Sequence, residues 1–302
     1  MTASDRIAGG YSESELQYLL EGAGAAAGLD CRDADLLRGH TNAVVRLRHE
    51  PVVVKIARRG TPHQEVERTV RFVRWLMEKG FPTAPLHPVA VEQPLVVDGA
   101  AVTFWTYLPQ PAEPVAAVQL ARPLAALHTL PVPDLGLPQH DNVTAIRRSL
   151  TSIATLPPED LVFLSEQADI LEKELKDVTF GRPMGLIQGD PQHRNALHAG
   201  GDAVLCDWDT IAIGHPEWDC VTVEVHCRRF GYGVDHYTRF AEAYGSDVRS
   251  LRGYDTLARI RELRMVTTNA RKVRHAPWTL EEVQRRIEGM RQGDAELPWS
   301  IL

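Results

Sequence analysis

The sequence predicts an α+β fold in which a mixed strand-and-helix region precedes a larger, mainly helical region. The first third of the 302-residue chain alternates β-rich runs with helical periodicity. Three prolines, Pro109, Pro111 and Pro114, then interrupt the pattern, and helical periodicity dominates the rest of the chain. We therefore expect two parts, residues 1–109 and 110–302, in agreement with about 150 residues per domain.

In the first part, periodicity and breaker residues predict two helices and several strands. One helix begins after Ser12, because Glu15 stands three residues on, as in a capping box. The other covers about residues 64–79, where Gly80 and Pro82 end it. The strand candidates are the runs rich in β-branched and aromatic residues: Ala43–Leu47, Val52–Ala57, Pro88–Val91 and Ala101–Tyr107. The first two are close enough to form a hairpin.

In the second part, helical patterns flank one loop-rich stretch. The patterns cover residues 115–130, about 159–177, and from about 218 to the end. Between them, two short strand runs, 195–198 and 203–206, surround an Ala-Gly-Gly-Asp turn. Such a turn between apolar runs favours a hairpin.

Composition excludes several functional classes. The net charge is −7 and the pI is near 6.0, which argues against a nucleic-acid partner. The four cysteines form no C-x-x-C pair, so we expect neither a zinc ribbon nor a redox motif. The opening residues MTASDRIAGGYSESE lack the order of a signal peptide, and no apolar run approaches the ~20 residues of a membrane span. We expect a cytoplasmic monomer or homodimer without a membrane partner.

Candidate chemistry is concentrated in residues 188–219. Asp190 stands between a Gly and a Pro, hence in a loop, and Asn195 is five residues later. The predicted hairpin would return Asp207 to the vicinity of both. Carboxylate and amide oxygens suit Mg²⁺, which binds a few such groups together with substrate phosphates.

These residues carry a family resemblance. Asp190-x-x-x-x-Asn195 followed by Asp207 is similar to the catalytic loop and metal-binding Asp of the protein-kinase-like fold. Further motifs match the aminoglycoside phosphotransferase family: Gly189-Asp190, Asp207-Trp208-Asp209, Gly214-His215-Pro216-x-x-Asp219 and Leu124-x-x-Leu127-His128. The resemblance covers about residues 36–275 and implies a bilobal fold, with a nucleotide-binding sheet lobe before a helical catalytic and substrate lobe.

The resemblance implies a role for each residue of the loop. Asp190 would be the catalytic base, and Asn195 and Asp207 would hold Mg²⁺ on the phosphates of ATP or GTP. The acceptor would be a hydroxyl of a small molecule such as an antibiotic or amino sugar. Gln188 stands where the family usually has His, and His215 where it has Asp. Asp219 is expected to order the loop or cap a helix.

Lys55 is the candidate phosphate-binding lysine, because it is the only Lys in an apolar β-run. In this fold the strand Lys pairs with a helix Glu. The corresponding position falls on Thr69, so periodicity must choose between Glu65 and Glu67. Glu67 belongs to the solvent face and Glu65 to the edge of the apolar face, and we therefore expect Glu65.

Other nucleotide contacts are expected around the first hairpin. Residues 38–42 would form the loop over the phosphates, with Thr41 and Asn42 as hydrogen-bond donors. Tyr107 is either an adenine contact or a core residue. His128, at the end of an apolar helix, is expected to be structural.

Three alternatives stay open. A phosphatase of the haloacid dehalogenase class would use Asp207 and Asp209, but its motif normally lies near the N-terminus. A non-catalytic kinase-like binding protein would not need the retained Lys, Asp and Asn residues. A protein kinase would need an Ala-Pro-Glu motif, and only ten residues separate Asp207 from Trp218.

The charge of the helical part bears on the acceptor. Acidic residues of this part could attract a cationic acceptor: Glu217, Asp219, Glu224, Asp235, Glu242 and Glu262.

Overall fold

The computed structural model describes residues 8–39, 41–274 and 276–302, which form two compact units. The first unit contains the described chain up to Pro114 together with Pro133–Leu137 and Ala196–Asp209. The second contains Val115–Val132, Pro138–Asn195 and Thr210–Leu302. Residues 1–7 of the N-terminal segment and His40 of the expected phosphate loop lie outside the described residues.

The first unit is built on an antiparallel five-stranded sheet. Its strands are β1 (Asp35–Arg38), β2 (Ala43–Arg46), β3 (Val52–Ile56), β4 (Leu95–Val97) and β5 (Ala100–Thr106). Their order is β1-β2-β3-β5-β4. Val52, Val54 and Ile56 alternate toward the core, so the intervening Lys55 emerges on the other face.

Two helices accompany this sheet, α1 (Glu13–Ala27) and α2 (His63–Glu78). The predicted capping box of α1 is confirmed, since Ser12 Oγ accepts from Glu15 N and Glu15 Oε2 accepts from Ser12 N. The helix α2 buries an apolar stripe that includes Val70, Phe72 and Leu76.

One strand prediction is wrong, and one strand was not predicted. The run Pro88–Val91 is not a strand, and β4 forms a few residues later at the edge of the sheet. The strand β1 was not expected, because its sequence Asp-Leu-Leu-Arg has no β-branched residue and three of its four side chains are exposed. Pairing with β2 stabilises it despite this weak local preference.

Two short antiparallel pairs come later in the chain. Strands β6 (Gly185–Ile187) and β9 (Ala212–Gly214) pair in the second unit, whereas β7 (Ala196–Ala199) and β8 (Asp202–Leu205) form the predicted hairpin in the first. The hairpin joins the first unit through Ala84 N, which donates to Leu205 O at 2.9 Å.

The second unit is mainly helical. Its helices are α3 (Ala117–Leu127), α4 (Asn142–Leu150), α5 (Pro158–Glu174), α6 (Glu217–Arg229), α7 (Val234–Tyr244), α8 (Tyr254–Lys272) and α9 (Leu280–Gln292). The helix α6 is buried on nearly all sides. Among the described residues, none of the helices combines the length and apolarity needed to cross a bilayer. The predicted α+β class is confirmed.

Candidate active site

In the first unit, Lys55 is held by two carboxylates. Its Nζ lies 2.8 Å from Asp207 Oδ1 and 2.8 Å from Asp209 Oδ2. Burial alone would lower the pKa of Lys55, but the two carboxylates outweigh it and raise that pKa above its ordinary value. Conversely, the charge of Lys55 lowers the pKa of Asp207, against the effect of burial. The three groups therefore form a charged cluster with one cation and two anions.

A buried tryptophan explains why both carboxylates reach the lysine. Trp208 lies between them and is fully buried, with its ring against Phe72 and Phe81. Its Nε1 donates to Thr83 Oγ1 at 2.8 Å. Asp207 takes a left-handed backbone conformation, with φ of 57°. In the turn after β8, Trp208 is thus anchored in the core, and the flanking Asp207 and Asp209 contact Lys55.

The charged cluster adjoins a cleft of about 190 Å³ within the first unit. Its lining residues are Thr41, Asn42, Lys55, Ala57, Arg58, Thr61, Glu65, Val66, Thr69, Thr103, Trp105 and Asp209. Asn42 is fixed at both ends of its amide, since Nδ2 donates to Asp209 Oδ2 at 2.8 Å and Oδ1 accepts from Arg58 N at 3.0 Å. Of the expected nucleotide contacts, Thr41, Asn42, Lys55 and Glu65 line one cleft.

One expectation about this region differs from the structure. Lys55 pairs with Asp207 and Asp209 rather than with Glu65, whose exposed side chain only lines the cleft. The reason is proximity, because the turn after β8 places two carboxylates on the amino group. The ring of Tyr107 packs 4.0 Å from the guanidinium carbon of Arg46, and its role as an adenine contact or a core residue stays a prediction.

In the second unit, Asp190 and Asn195 lie together in a constrained loop. Asn195 Nδ2 donates to Asp190 O at 2.8 Å and approaches Asp190 Oδ2 at 3.3 Å. Asp190 N donates to Gln188 Oε1 at 2.7 Å, so Gln188 supports the loop directly. Gly189 has φ of +85°, and a Cβ there would lie 2.4 Å from Thr210 O, so only glycine fits this turn.

A fully buried carboxylate holds the entry to this loop. Asp219 accepts hydrogen bonds from Gln188 N at 2.7 Å and Gly189 N at 2.8 Å. Its Oδ2 also lies 3.0 Å from His128 Nε2, and His128 Nδ1 lies 2.7 Å from Tyr244 Oη. The expected structural roles of Asp219 and His128 are confirmed. The convergence of Asp207 with Asp190 and Asn195 stays a prediction.

Sequence reasoning missed the arginine that contacts Asp190. Arg261, on α8, donates from Nη2 to Asp190 Oδ1, and its side chain is only 9% exposed. The same Nη2 lies 3.3 Å from His226 Nε2. Gln192 Nε2 donates to the other carboxylate oxygen at 3.0 Å. The only signal in the sequence is that Arg261 falls four residues after the buried Leu257, on the apolar face of its helix.

The acidic residues of the helical unit are mostly not available to a cationic acceptor. Glu224 lies 3.1 Å from Arg228 Nε, and Glu262 lies 2.7 Å from Arg229 Nε. Glu217 Oε1 accepts from two backbone N–H groups, and all three glutamates are buried. Ion pairs with arginines hold Glu224 and Glu262, and backbone N–H groups hold Glu217, so these three are not available to a cation. Asp235 and Glu242 are exposed, and the attraction of a cationic acceptor stays a prediction.

The chain is similar to known proteins in sequence pattern and in fold. The sequence profile of the phosphotransferase enzyme family matches residues 35–263. A search of curated protein sequences finds no match. Among solved structures, the chain is similar to the amicoumacin kinase hAmiN, at 13% identity, with a TM-score of 0.69 and coverage of 96% of both chains.

Two further solved structures share the architecture. The choline kinase LicA from Streptococcus pneumoniae is 14% identical, with a TM-score of 0.66 and coverage of 93% of this chain and 100% of that one. The microcompartment-associated aminopropanol kinase is 17% identical, with a TM-score of 0.67 and coverage of 91% and 98%. At such identities, the likeness shows the kinase-like fold, whereas the profile covers most of the chain. The chain therefore belongs to the phosphotransferase enzyme family.

Proposed function

We propose that the protein is an ATP- or GTP-dependent kinase that transfers the γ-phosphate to a hydroxyl group of a small molecule. The observation that carries this proposal is the loop in which Asp190 and Asn195 touch. Its backbone is fixed by the buried Asp219, and one carboxylate oxygen of Asp190 is fixed by Arg261. Phosphoryl transfer depends on positioning, and this loop is positioned by hydrogen bonds to both backbone and side chains.

In this proposal Asp190 is the general base. Its carboxylate accepts the proton of the acceptor hydroxyl while that oxygen forms a bond to the γ-phosphorus. The bond between the γ-phosphorus and the β,γ-bridging oxygen breaks, and the nucleoside diphosphate leaves. A positioned base of this kind contributes about 10²–10⁴-fold to the rate.

Lys55 binds the α- and β-phosphates in the proposal, and Asn195 and Asp207 hold Mg²⁺. Amide and carboxylate oxygens are hard donors that fit this ion. Asn195 contacts Asp190 through Nδ2, so its Oδ1 takes no part in these contacts. When bound, Mg²⁺ neutralises charge on the phosphates. Thr41, Asn42 and Glu65 line the cleft on the nucleotide side, and Asp209 supports Lys55.

The acceptor is proposed to be small, such as an antibiotic, an amino alcohol or an amino sugar. The segment between Asp207 and Trp218 is too short for the activation loop of a protein kinase. Structurally similar proteins include a spectinomycin phosphotransferase as well as the choline and aminopropanol kinases. We further propose a cytoplasmic location, with residues 1–109 as nucleotide lobe and 110–302 as substrate lobe.

The test is a panel of hydroxyl compounds incubated with Mg²⁺ and either ATP or GTP. The panel contains aminoglycosides, spectinomycin, macrolides, nucleosides, choline and amino alcohols, and mass spectrometry detects a gain of one phosphoryl group. We expect acceptor-dependent nucleoside diphosphate formation with one compound class. An Asp190→Ala variant serves as the inactive control.

Two other outcomes would contradict the proposal. Release of inorganic phosphate from phosphorylated compounds without nucleotide would favour the phosphatase alternative with Asp207 and Asp209. Failure of Mg-ATP and Mg-GTP to raise the melting temperature would favour a non-catalytic binding protein. A ligand at 100 times its Kd should add about 2.7 kcal/mol to the free energy of unfolding.

A further inference from the structure

Three metal-ligating side chains meet in the second unit, outside the nucleotide site. His193 lies in the loop between Asp190 and Asn195, Cys227 is on α6 and His236 is on α7. One donor atom from each lies within 4.8 Å of the others. His193 and Cys227 are buried, at 3% and 1% exposure.

The ring nitrogens of His193 and His236 do not offer one donor for each acceptor. Their Nε2 atoms lie 3.1 Å apart, and Ala117 N donates to His236 Nε2 at 3.0 Å. His236 Nε2 therefore carries a lone pair, which points to the Nδ1–H tautomer for this ring. If His193 holds its proton on Nδ1, the two Nε2 lone pairs face each other. If it holds the proton on Nε2, two donors share the single lone pair of His236.

The remaining nitrogen of His193 adds to this imbalance. Its Nδ1 is buried and has no hydrogen-bond partner among the described residues. Each neutral tautomer of His193 thus leaves a buried polar atom unsatisfied or poorly satisfied, which is unfavourable. A cation bound to both Nε2 atoms would use the two lone pairs that face each other, while the Nδ1–H of His193 keeps no partner among the described residues and the N–H of Ala117 gives up its bond to His236.

We propose that His193, Cys227 and His236 form a zinc-binding site, with water as the fourth ligand. Nitrogen and sulfur donors are those that Zn²⁺ prefers, whereas Mg²⁺ prefers oxygen. With Zn–N bonds of about 2.0–2.1 Å, two nitrogens of a tetrahedral site lie about 3.3 Å apart, close to the 3.1 Å found here. Zinc replaces the hydrogen bond from Ala117, and the Cys227 thiol loses its proton to solvent on binding.

The protonation states favour zinc binding by the two histidines and oppose zinc binding by Cys227. Burial lowers the pKa of His193 to about 4 and also lowers that of His236, so both imidazoles are neutral and able to ligate. Burial raises the pKa of Cys227 to about 12, so zinc must supply the energy of its deprotonation. The affinity of the site is set by this balance.

The site gives zinc a positioning role rather than a catalytic one. His193 stands three residues after Asp190 and two before Asn195. Zinc would therefore tie the proposed catalytic loop to α6 and α7. The binding site stands on its own geometry, and only this consequence for the loop rests on the proposed function.

The test uses full-length protein stripped of metal with a chelator. Zinc is titrated against a chromophoric competitor, and Co²⁺ is then used as a spectroscopic substitute. We expect one equivalent of zinc per chain and a thiolate-to-Co²⁺ charge-transfer band. The variant Cys227→Ser should lose the band and His236→Ala should lower zinc affinity by at least about tenfold, which is 1.4 kcal/mol.

Matched controls separate this site from other donors. Cys31→Ser removes a thiol of the first unit, and Asp207→Asn removes a proposed Mg²⁺ ligand. Both should bind zinc as the parent does, with circular dichroism confirming that every variant is folded. Zinc binding that survives in folded Cys227→Ser and His236→Ala, or binding below one equivalent in the parent, would overturn the proposal. Neither result depends on whether the protein phosphorylates anything.

Discussion

The two regions that carry the candidate chemistry are held in different ways. In the first unit, Lys55 faces Asp207 and Asp209 at the edge of an open cleft, and the two carboxylates remain 40% and 44% exposed. In the second, the loop of Asp190 is fixed from within by the fully buried Asp219. One region is a partly exposed charge cluster, and the other is a loop anchored by buried hydrogen bonds.

This difference suggests a division of labour. A charge cluster in partial contact with water can exchange partners, as a site must when it takes up and releases a charged phosphate chain. A loop held by buried hydrogen bonds keeps its carboxylate in one place, as a general base requires. Changes in the first region should therefore affect nucleotide binding, and changes in the second should affect the transfer step or folding.

The largest effect is expected for Asp190→Asn. The amide cannot accept the hydroxyl proton, so the rate of phosphoryl transfer should fall by about 10²–10⁴-fold. Stopped assays of product formation with the acceptor identified by the panel measure this effect. Turnover near that of the parent would show that another group acts as the base.

Asp219→Asn should act on stability more than on binding. The amide would place an N–H group against the N–H of Gln188 or Gly189, and His128 would lose its charged partner. Losing a buried hydrogen bond to a carboxylate costs about 1.5–3 kcal/mol, and urea denaturation measures this loss. The exposed Glu242→Gln is the matched control and should change stability by less than about 0.5 kcal/mol. Equal effects of both substitutions would refute the anchoring role.

Arg261→Lys tests how Asp190 is positioned. Lysine keeps the charge but loses the planar guanidinium, so kcat should fall by about tenfold while the Kd for nucleotide stays unchanged. The control Arg259→Lys lies on the same helix and contacts Glu174. A change in nucleotide Kd with unchanged kcat would contradict the assignment of Arg261 to the transfer step.

The last effect concerns acid stability and leaves both regions unchanged near neutral pH. Burial lowers the pKa of His140 to about 4, against an ordinary value of about 6.5. Between these values the unfolded chain takes up a proton that the folded chain does not. Stability is therefore present above about pH 6.5 and is lost toward pH 4, by up to about 1.4 kcal/mol per pH unit.

The variant His140→Phe removes this contribution and leaves those of His193 and His226. Urea denaturation at about pH 7 and pH 5 should show a smaller loss of stability in the variant than in the parent. The exposed His63→Phe should behave as the parent does. An unchanged pH dependence in His140→Phe would mean that other groups account for the acid sensitivity.

Local patterns predicted much of the fold. The capping box at Ser12 and Glu15 requires only neighbouring residues, and the alternation in Val52–Ile56 requires only one strand. The turn around 200–201 likewise fixed the hairpin of β7 and β8. By contrast, β1 and β4 are stabilised by their partners in the sheet, so their own sequences give a weak signal.

The sequence predicted the part of the candidate site that lies within one local motif. Asp190 and Asn195 are five residues apart, and their contact results from the loop between them. Arg261 approaches from a helix 71 residues later, and no spacing rule connects it to Asp190. The expected pairing of Lys55 with Glu65 also differs from the structure because the true partners are distant in sequence. Asp207 and Asp209 are brought close to Lys55 by the burial of Trp208 between them.

The measurement that tests the division of labour most directly is calorimetric titration of Mg-ATP into Asp190→Ala and Asp207→Ala. With the parent as reference, we expect Asp190→Ala to bind with nearly unchanged Kd and Asp207→Ala to bind at least about tenfold more weakly, which is 1.4 kcal/mol. Equal weakening in both variants, or weakening in Asp190→Ala alone, would contradict the separation of nucleotide binding from base catalysis.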